Sequence, residues 1–247
     1  MSAITMPVTP VEEQKCIMFQ FPNKGGNNAK SASVGVSNKT YAIKDESKLK
    51  LYISYYNRKK NFSIIDMEKY TLVMFELCVG LRISDIIPRT WDDVIDGDGY
   101  REFIRVRQKK TSKYGEFGIN PLLQSVLDEY KAALKKYYGE FNSEWYLFPS
   151  SKSATGHITR QGAWKWVNEG AAYAGIELNV SNHGLRKTFG YTSMKTHQDD
   201  AMFLATLMRL FGHSSERITL AYCGLDEDNN KELYNDVSNY YTDLINK

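Results

Sequence analysis

Apolar residues recur at helical spacing along most of the chain from about residue 44 onward. In the first periodic segment they lie three or four positions apart, at Leu49, Tyr52, Ile53 and Tyr56. A second segment begins at Met67 and carries apolar residues up to Gly80, a residue type that commonly ends helices. The pattern predicts two buried helices immediately before Arg82.

A longer amphipathic segment lies between residues 120 and 139. Asn120 is a favoured helix N-cap residue, and Pro121 suits the first helical position. One apolar stripe follows, at Leu123, Val126, Leu127, Tyr130 and Leu134. We predict a long helix here, a further helix from about Thr159 to Gly175, and shorter helical runs around Leu185, Leu207 and Ile218.

Two short segments rich in strand-forming residues flank a basic turn. They cover residues 103–108 and 116–120, with the turn region at 111–115 between them. The sequence therefore predicts one hairpin in an otherwise helical chain. The expected fold class is mainly α with a small antiparallel β-sheet, that is, α+β.

Residues 1–41 differ in composition from the rest of the chain. They contain prolines, serines and the Gly25-Gly26 pair, with little periodicity. We predict a flexible N-terminal arm, and one domain over residues 42–247. A tail helix is expected over about 229–247, with its apolar stripe either packed on a neighbouring protomer or folded back on its own core.

Length and composition allow one sizeable core and only hint at a partner. The chain has 247 residues, 42% of them hydrophobic, and a formal net charge of +3, which weakly favours an anionic partner. Its three cysteines lack metal-ligand spacing and no secretory signal is recognisable, so a reducing cytoplasm fits best. No apolar stretch approaches the roughly 20 residues of a membrane span, so no membrane partner is expected.

Four separated segments place charged or polar residues beside strongly apolar stretches. They are Gly80-Leu81-Arg82-Ile83-Ser84-Asp85, the basic turn Gln108-Lys109-Lys110-Thr111-Ser112-Lys113, His183-Gly184-Leu185-Arg186, and Gly212-His213, which precedes Tyr222 by nine positions. His183 and Arg186 are three residues apart and therefore share a helix face. A packed helical domain has no structural need for these groups at these places.

In order and residue type, the four segments resemble the tyrosine recombinase or phage integrase family, from about residue 42 to the end. The family pattern has an arginine in a Gly-Leu-Arg box, a hairpin lysine, His-x-Leu-Arg, Gly-His and then a tyrosine. The resemblance implies the family's catalytic-domain fold. It assigns the catalytic roles to Arg82, Lys110, His183, Arg186, His213 and Tyr222.

Phosphodiester chemistry explains why these residue types are needed. Attack on the phosphate builds negative charge, which guanidinium groups and a histidine donor can stabilise in place of a metal ion. A tyrosine hydroxyl has an ordinary pKa near 10, so Tyr222 needs help to lose its proton, and His183 is the candidate base. Lys110 is the candidate acid for the leaving 5′ oxygen. A 3′-phosphotyrosyl intermediate is expected, with no metal, ATP or other cofactor.

The resemblance implies a site-specific DNA recombinase or integrase, by default one that integrates or excises a mobile element. The implied partners are double-stranded DNA recombination sites, a homotetramer on DNA and an accessory DNA-bending or excision factor. Two alternatives stay open. One is a catalytically silent DNA-binding regulator on the same fold, and the other is relaxation of DNA like that of a type IB topoisomerase.

Some assignments carry alternatives or departures from the family pattern. Lys109 or Lys113 could supply the acid instead of Lys110, and Asp85 is expected to orient or cap rather than react. Lys187 stands where many members have a second histidine, and Arg89 replaces an apolar residue. No full core-binding domain is recognisable in residues 1–41, so either the catalytic domain binds DNA with this arm alone, or the chain is a fragment or a minimal member. Weaker and less sequence-selective DNA binding is expected, because fewer phosphates are neutralised.

Overall fold

The structure is a computed structural model, and it describes residues 40–107, 114–150, 153–177, 180–197 and 200–245. The predicted N-terminal arm lies outside these ranges except for Thr40 and Tyr41. The basic turn also lies outside them, so the role of Lys110 and its alternatives stays a prediction. Within the described ranges the chain is mainly helical with short antiparallel strand pairs, which confirms the predicted fold class.

The helices follow the apolar periodicity of the sequence. In chain order they are α1 (Glu46–Lys59), α2 (Ile64–Val79), α3 (Ile83–Ile86), α4 (Pro121–Tyr138), α5 (Arg160–Tyr173), α6 (Asn182–Lys195), α7 (Ala201–Phe211), α8 (Glu216–Cys223) and α9 (Leu225–Ile245). Asn120 caps α4 as predicted, by accepting a hydrogen bond from the amide of Leu123. No helix in the described part of the chain is long and apolar enough to cross a bilayer.

The tail helix α9 begins earlier than predicted, at Leu225 instead of near residue 229. The reason is Gly224, whose φ of 78° lets the chain turn out of α8 and straight into α9. Residues 226–228, which the sequence suggested as an acidic link, are therefore helical.

The predicted hairpin is formed by β3 (Phe103–Arg107) and β4 (Tyr114–Gly118), with Ile104 opposite Phe117. Two further antiparallel pairs join β1 (Ile95–Asp96) to β2 (Gly99–Tyr100), and β5 (Pro149–Ser150) to β6 (Ser153–His157). The sequence predicted one sheet, whereas the described residues form three two-stranded sheets. Four of these strands are two or five residues long and lack the alternation that makes a strand visible in a sequence.

One large apolar core fills the space between α1, α2, α4 and α5. Helix α2 lies at its centre, where Leu72, Val73 and Phe75 are completely buried. The predicted stripes of α1 and α4 face this core, with Tyr52, Tyr56 and Tyr130 buried. Helix α6 also packs against α2, so the large core supports the start of α6.

A second, smaller apolar cluster joins α7 and α8 to the other side of α6. Leu207, Phe211 and Cys223 are its buried members. Gly190 on α6 permits the close packing, because a Cβ there would lie 2.7 Å from the sulfur of Cys223. Helix α6 thus lies between a large core and a small cluster, and the candidate site lies along this boundary.

Candidate active site

Arg82 is positioned by the sharp end of α2. Gly80 ends α2 with a φ of 65°, and the ring of Phe189 from α6 occupies the place where a Cβ of residue 80 would be. Only glycine fits this combination of backbone and packing. The chain then turns, so that Arg82 precedes α3 and its Nη2 donates to the carbonyl oxygen of Phe211 over 3.3 Å.

Arg186 lies in the interior, with 1% of its surface exposed. Its Nη1 donates to the carbonyl oxygen of Gly80 over 2.5 Å, and its Nη2 to that of Phe211 over 3.4 Å. The guanidinium also lies 4.4 Å from the centre of the Phe211 ring. Burial lowers the pKa of Arg186, which the neighbouring Tyr222 opposes, but a guanidinium stays charged at neutral pH.

The carbonyl oxygen of Phe211 is therefore a shared acceptor for both arginines. This arrangement holds two guanidinium groups side by side at the end of α7. Paired guanidinium groups form the kind of donor cluster that binds phosphate oxygens. The Phe211 carbonyl has no sequence signature, because a backbone oxygen is present at every position.

Tyr222 lies in the last turn of α8, directly before the buried Cys223. Its hydroxyl oxygen is 3.3 Å from Nδ1 of His183, which projects from the first turn of α6. Burial raises the pKa of Tyr222 to about 12, even though Arg186 and Arg82 act to lower it. The hydroxyl is therefore protonated at neutral pH and needs a base before it can act as a nucleophile.

His213 follows α7 through Gly212, whose φ is 69°. Its ring centre lies 5.0 Å from that of Tyr222, and its Nδ1 lies 3.0 Å from Oγ1 of Thr219. Thr219 is completely buried on α8. The contact with Thr219 orients the imidazole of His213. The sequence did not predict this role, because a single threonine within a helix belongs to no recognisable motif.

Glu76 and Asn182 form another contact that the sequence did not predict. Both side chains are buried, and Nδ2 of Asn182 donates to Oε2 of Glu76 over 3.1 Å. Burial raises the pKa of Glu76 well above its ordinary value, because the charged carboxylate is disfavoured away from water. The contact ties the end of α2 to the residue that precedes His183, and so helps to fix the start of α6.

Asp85 lies on α3, within the buried neighbourhood of the arginines. It is 2% exposed, and neither carboxylate oxygen has a hydrogen-bond partner among the described residues. Its negative charge raises the pKa of Arg186, against the effect of burial. Asp85 is therefore a buried carboxyl group near Arg186, and it makes no side-chain hydrogen bond that caps α3.

The structure shows the contacts of Lys187 and Arg89, the two residues that depart from the family pattern. Nζ of Lys187 donates to the carbonyl oxygen of Thr40 over 2.7 Å and lies 5.3 Å from the ring centre of Tyr222. Nη1 of Arg89 pairs with Asp93 at 3.2 Å, four residues further along a capped turn. Lys187 therefore borders the site, while Arg89 stabilises a local turn.

Most of the predicted site residues lie close to one another. The group comprises Arg82, His183, Arg186, His213 and Tyr222, and Lys110 lies outside the described residues. Within the described ranges, no three His, Cys, Asp or Glu side chains group in a way that could hold a metal ion. The arrangement combines cations, imidazoles and one phenol, a set suited to binding an oxyanion and attacking it.

Comparisons with known proteins agree on one family. A model described as "Phage integrase family" matches residues 48–229. The probable integrase/recombinase YoeC of Bacillus subtilis is 33% identical over 165 residues, which cover 67% of this chain and 82% of YoeC. Tyrosine recombinase XerD of Corynebacterium glutamicum is 26% identical over 170 residues, and the matched part is 69% of this chain and 52% of XerD. The chain thus spans about half the length of XerD.

Solved structures share the fold. The XerH site-specific recombinase, in a post-cleavage complex with a palindromic difH substrate, superposes with a TM-score of 0.61 and 19% identity. The match covers 80% of this chain and 53% of the XerH chain. The described helices therefore have the arrangement of that recombinase, although the sequences have diverged widely.

Proposed function

This chain belongs to the phage integrase family, and from that membership we propose that it is a site-specific recombinase that cuts and rejoins DNA strands through Tyr222. The observation that carries the proposal is the placement of the Tyr222 hydroxyl 3.3 Å from Nδ1 of His183, next to two arginines that share one carbonyl. This geometry supports Tyr222 as the proposed nucleophile, His183 as the proposed base and the arginines as the proposed cations for the developing charge.

In the proposed cleavage step, the oxygen of Tyr222 attacks a backbone phosphorus as its proton passes to His183. The bond between phosphorus and the 5′ oxygen breaks, and Lys110 donates a proton to that oxygen. The products are a 3′-phosphotyrosyl link and a free 5′-hydroxyl. Attack by a 5′-hydroxyl from another strand reverses these changes and restores the tyrosine, so the bond energy is retained and no ATP is consumed.

The arginines stabilise the transition state of this step. Negative charge grows on the nonbridging oxygens, and the two guanidinium groups meet it without reorganisation because protein carbonyls already hold them. His213, oriented by Thr219, donates to the same phosphate. These groups supply the charge that a metal ion provides in other phosphoryl-transfer enzymes, so we propose that the reaction needs neither a metal nor an organic cofactor.

We propose double-stranded recombination sites as the DNA partner. Arg105 and Arg107 of β3 are exposed, and Arg105 pairs with Glu116 at 2.9 Å; arginine side chains at the surface suit contacts to phosphates. The XerH structure is described as bound to its difH substrate, which supports the same class of partner here. DNA as substrate also agrees with the cytoplasmic location expected from the cysteines.

We further propose that the chain works as a homotetramer on DNA, joined through α9. Several large apolar side chains of this helix are exposed in the single chain, namely Tyr234, Val237, Tyr240, Tyr241 and Ile245. This exposure favours packing on a neighbouring protomer over folding back on the chain's own core. Integration or excision of a mobile element, with an accessory DNA-bending or excision factor, is the cellular role we propose.

Two other functions are less well supported. A catalytically silent regulator would not need Tyr222, His183 and the arginines in mutual reach, yet they are so placed. Relaxation of DNA by a type IB topoisomerase mechanism uses the same chemistry, and is distinguished by its product. Relaxed circles without exchanged strands would favour it.

The test traps the covalent intermediate. The full chain is incubated in EDTA with labelled nicked duplexes whose central sequence is randomised, and the retained DNA is amplified to enrich a substrate. We expect a labelled protein band that resists denaturation, and Tyr222→Phe should abolish it. Tyr137→Phe, which changes an exposed tyrosine on α4, is the matched control and should leave the band intact. A band of undiminished strength from Tyr222→Phe would refute the assignment of the nucleophile.

A further inference from the structure

The six residues before α1, Thr40–Asp45, cross the outer surface of α6, and we call them the entry strap. The amide of Ile43 donates to Oγ1 of Thr188 over 2.9 Å. Nζ of Lys187 donates to the carbonyl oxygen of Thr40 over 2.7 Å. A Cβ at Gly184 would lie only 2.8 Å from the carbonyl oxygen of Tyr41, so glycine allows this close approach. The entry strap is therefore fixed to α6 at several points.

From the entry strap, Lys44 reaches the end of the helix that carries Tyr222. Its Nζ donates to the carbonyl oxygen of Gly224 over 2.7 Å, across 180 positions of sequence. Gly224 is the C-cap residue of α8, where carbonyl groups lack helical partners and the helix dipole is negative. A lysine ammonium at this place forms a charge-assisted hydrogen bond and offsets the dipole.

The approach of Lys44 to the α8 terminus is tight. A Cβ on residue 224 would lie 3.0 Å from Cε and 3.1 Å from Nζ of Lys44. Nζ of Lys44 also lies 5.6 Å from the ring centre of Tyr191 on α6. The lysine side chain thus runs between α6 and the turn that joins α8 to α9.

Helix α8 is otherwise held by the small apolar cluster, in which Cys223 is buried and against which Tyr222 and Leu225 pack. It has eight residues, and only Thr219 and Cys223 among them are buried. The helix that follows, α9, has an exposed surface from Tyr234 onward. Tyr222 lies two residues before Gly224, so a shift of this terminus would move its hydroxyl relative to His183 and Arg186.

We propose that Lys44 is a positioning residue for the nucleophile, and that the entry strap uses it to fix the C-terminal turn of α8 against α6. This inference rests on the proposed function. A displacement of about 1 Å in a reacting group can lower a rate about a hundredfold. Loss of one hydrogen bond at this terminus is therefore expected to slow cleavage strongly. Lys187 adds a second tie, because it contacts both the entry strap and the ring of Tyr222.

The experiment compares three variants of the full chain on the enriched nicked duplex. Lys44→Met keeps the length of the stem and removes the donor, Lys44→Arg keeps a cationic donor, and Lys50→Met removes an exposed lysine of α1 as the control. The rate of covalent-complex formation is measured at saturating DNA, and the dissociation constant separately. Hydrogen exchange of residues 216–224 reports on α8.

We expect Lys44→Met to slow cleavage about tenfold or more at saturating DNA, with a dissociation constant within about twofold of the parent. Exchange of the α8 amides should speed up, Lys44→Arg should restore most of the rate, and Lys50→Met should match the parent. If Lys44→Met only destabilised the fold, amide exchange would speed up outside α8 as well, and the dissociation constant for DNA would rise.

Two results would overturn the proposal. One is an unchanged cleavage rate in Lys44→Met. The other is a loss of DNA affinity with a normal rate at saturation, which would make Lys44 a phosphate contact. If the parent chain forms no covalent complex, the proposed function fails instead, and unchanged exchange in Lys44→Met would then refute the contact independently.

Discussion

The two arginines and the tyrosine of the candidate site are supported by very different amounts of buried structure. Arg186 lies where α6 meets the large core, whose central helix α2 has Leu72, Val73 and Phe75 completely buried. Tyr222 lies on α8, which is held by a cluster with three buried members. We call these two parts the arginine side and the tyrosine side.

The difference matches the role that we propose for each side. Stabilising charge on a phosphate requires cations that are already in place, so a rigid support is useful. The nucleophile must approach a phosphorus atom and remain linked to it, which requires some freedom of movement. Regions with few buried contacts open locally at low free-energy cost, so we expect α7 and α8 to be the more mobile side.

The sides meet at Phe211. Its carbonyl oxygen accepts from both Arg82 and Arg186, and its ring lies under the guanidinium of Arg186. The same ring belongs to the small cluster that supports Tyr222. One contact between the sides thus uses the same arginines that are proposed to bind the phosphate.

The largest expected effect comes from removing the hydrogen bond between Arg186 and the carbonyl oxygen of Phe211. Arg186→Ala should lower the rate of covalent-complex formation about a thousandfold, because a preorganised cation is lost. It also leaves the carbonyl oxygen of Gly80 without this donor, which should cost about 1–3 kcal/mol of stability. Trapping kinetics and urea unfolding measure the two losses.

The matched control is Arg58→Ala, which removes an exposed arginine of α1 and should leave both quantities near their parent values. Arg186→Lys keeps the charge but loses the planar fork, and should recover only part of the rate. Full activity in Arg186→Lys would mean that geometry at this residue is unimportant.

A second prediction compares one leucine from each side. Leu72→Ala, in the large core, should destabilise the whole domain by about 4 kcal/mol, and Leu207→Ala, in the small cluster, by about 2 kcal/mol. Urea unfolding gives the totals. Hydrogen exchange should show that Leu207→Ala loosens α7 and α8 selectively, whereas Leu72→Ala lowers protection everywhere.

Equal losses in a single transition, with uniform loosening in both variants, would contradict the division into two sides. Unequal losses with local loosening would sharpen it. The pair is well matched, since both side chains are leucines with 2% exposure or less.

The last prediction concerns a buried acid of the arginine side, whose effect on stability depends on pH. Glu68 of α2 is 6% exposed, and burial raises its pKa to about 8. In the unfolded chain a glutamate ionises near pH 4.3, so between about pH 4 and pH 8 unfolding is favoured by release of the proton. The penalty is absent below this window and complete above it. Glu68→Gln should therefore gain stability relative to the parent as pH rises through this window, by up to about 1.4 kcal/mol for each pH unit.

Urea unfolding at pH 4, 6 and 8 measures the trend. Glu144→Gln changes an exposed glutamate and should track the parent at every pH. A constant difference between Glu68→Gln and the parent across this range would show that Glu68 ionises normally in the folded chain.

Much of the fold follows from local sequence patterns. Helices α1, α2 and α4 were predicted because each has a long apolar stripe, and the β3–β4 hairpin because its residues favour strands. The early start of α9 was missed because a glycine turn such as that at Gly224 leaves no visible linker. The two-residue strands were missed because they are too short to show a period.

The candidate site divides in the same way. Arg82 and His213 could be named because motifs place particular side chains at particular spacings. The Phe211 carbonyl could not, since it is a backbone atom, and the contact of Lys44 with Gly224 spans 180 positions. Such contacts depend on how helices are packed, which a local pattern does not encode.

The shared acceptor has a consequence for how the sequence can vary over generations. A replacement at position 211 can change the ring, but every residue type would still present the carbonyl oxygen that holds both arginines. Substitution at position 211 therefore cannot delete the acceptor of this junction, although replacing either arginine removes a donor. The acceptor itself changes only if the path of the main chain changes, so this half of the junction is inherited with the fold, whereas the arginine half depends on two side chains.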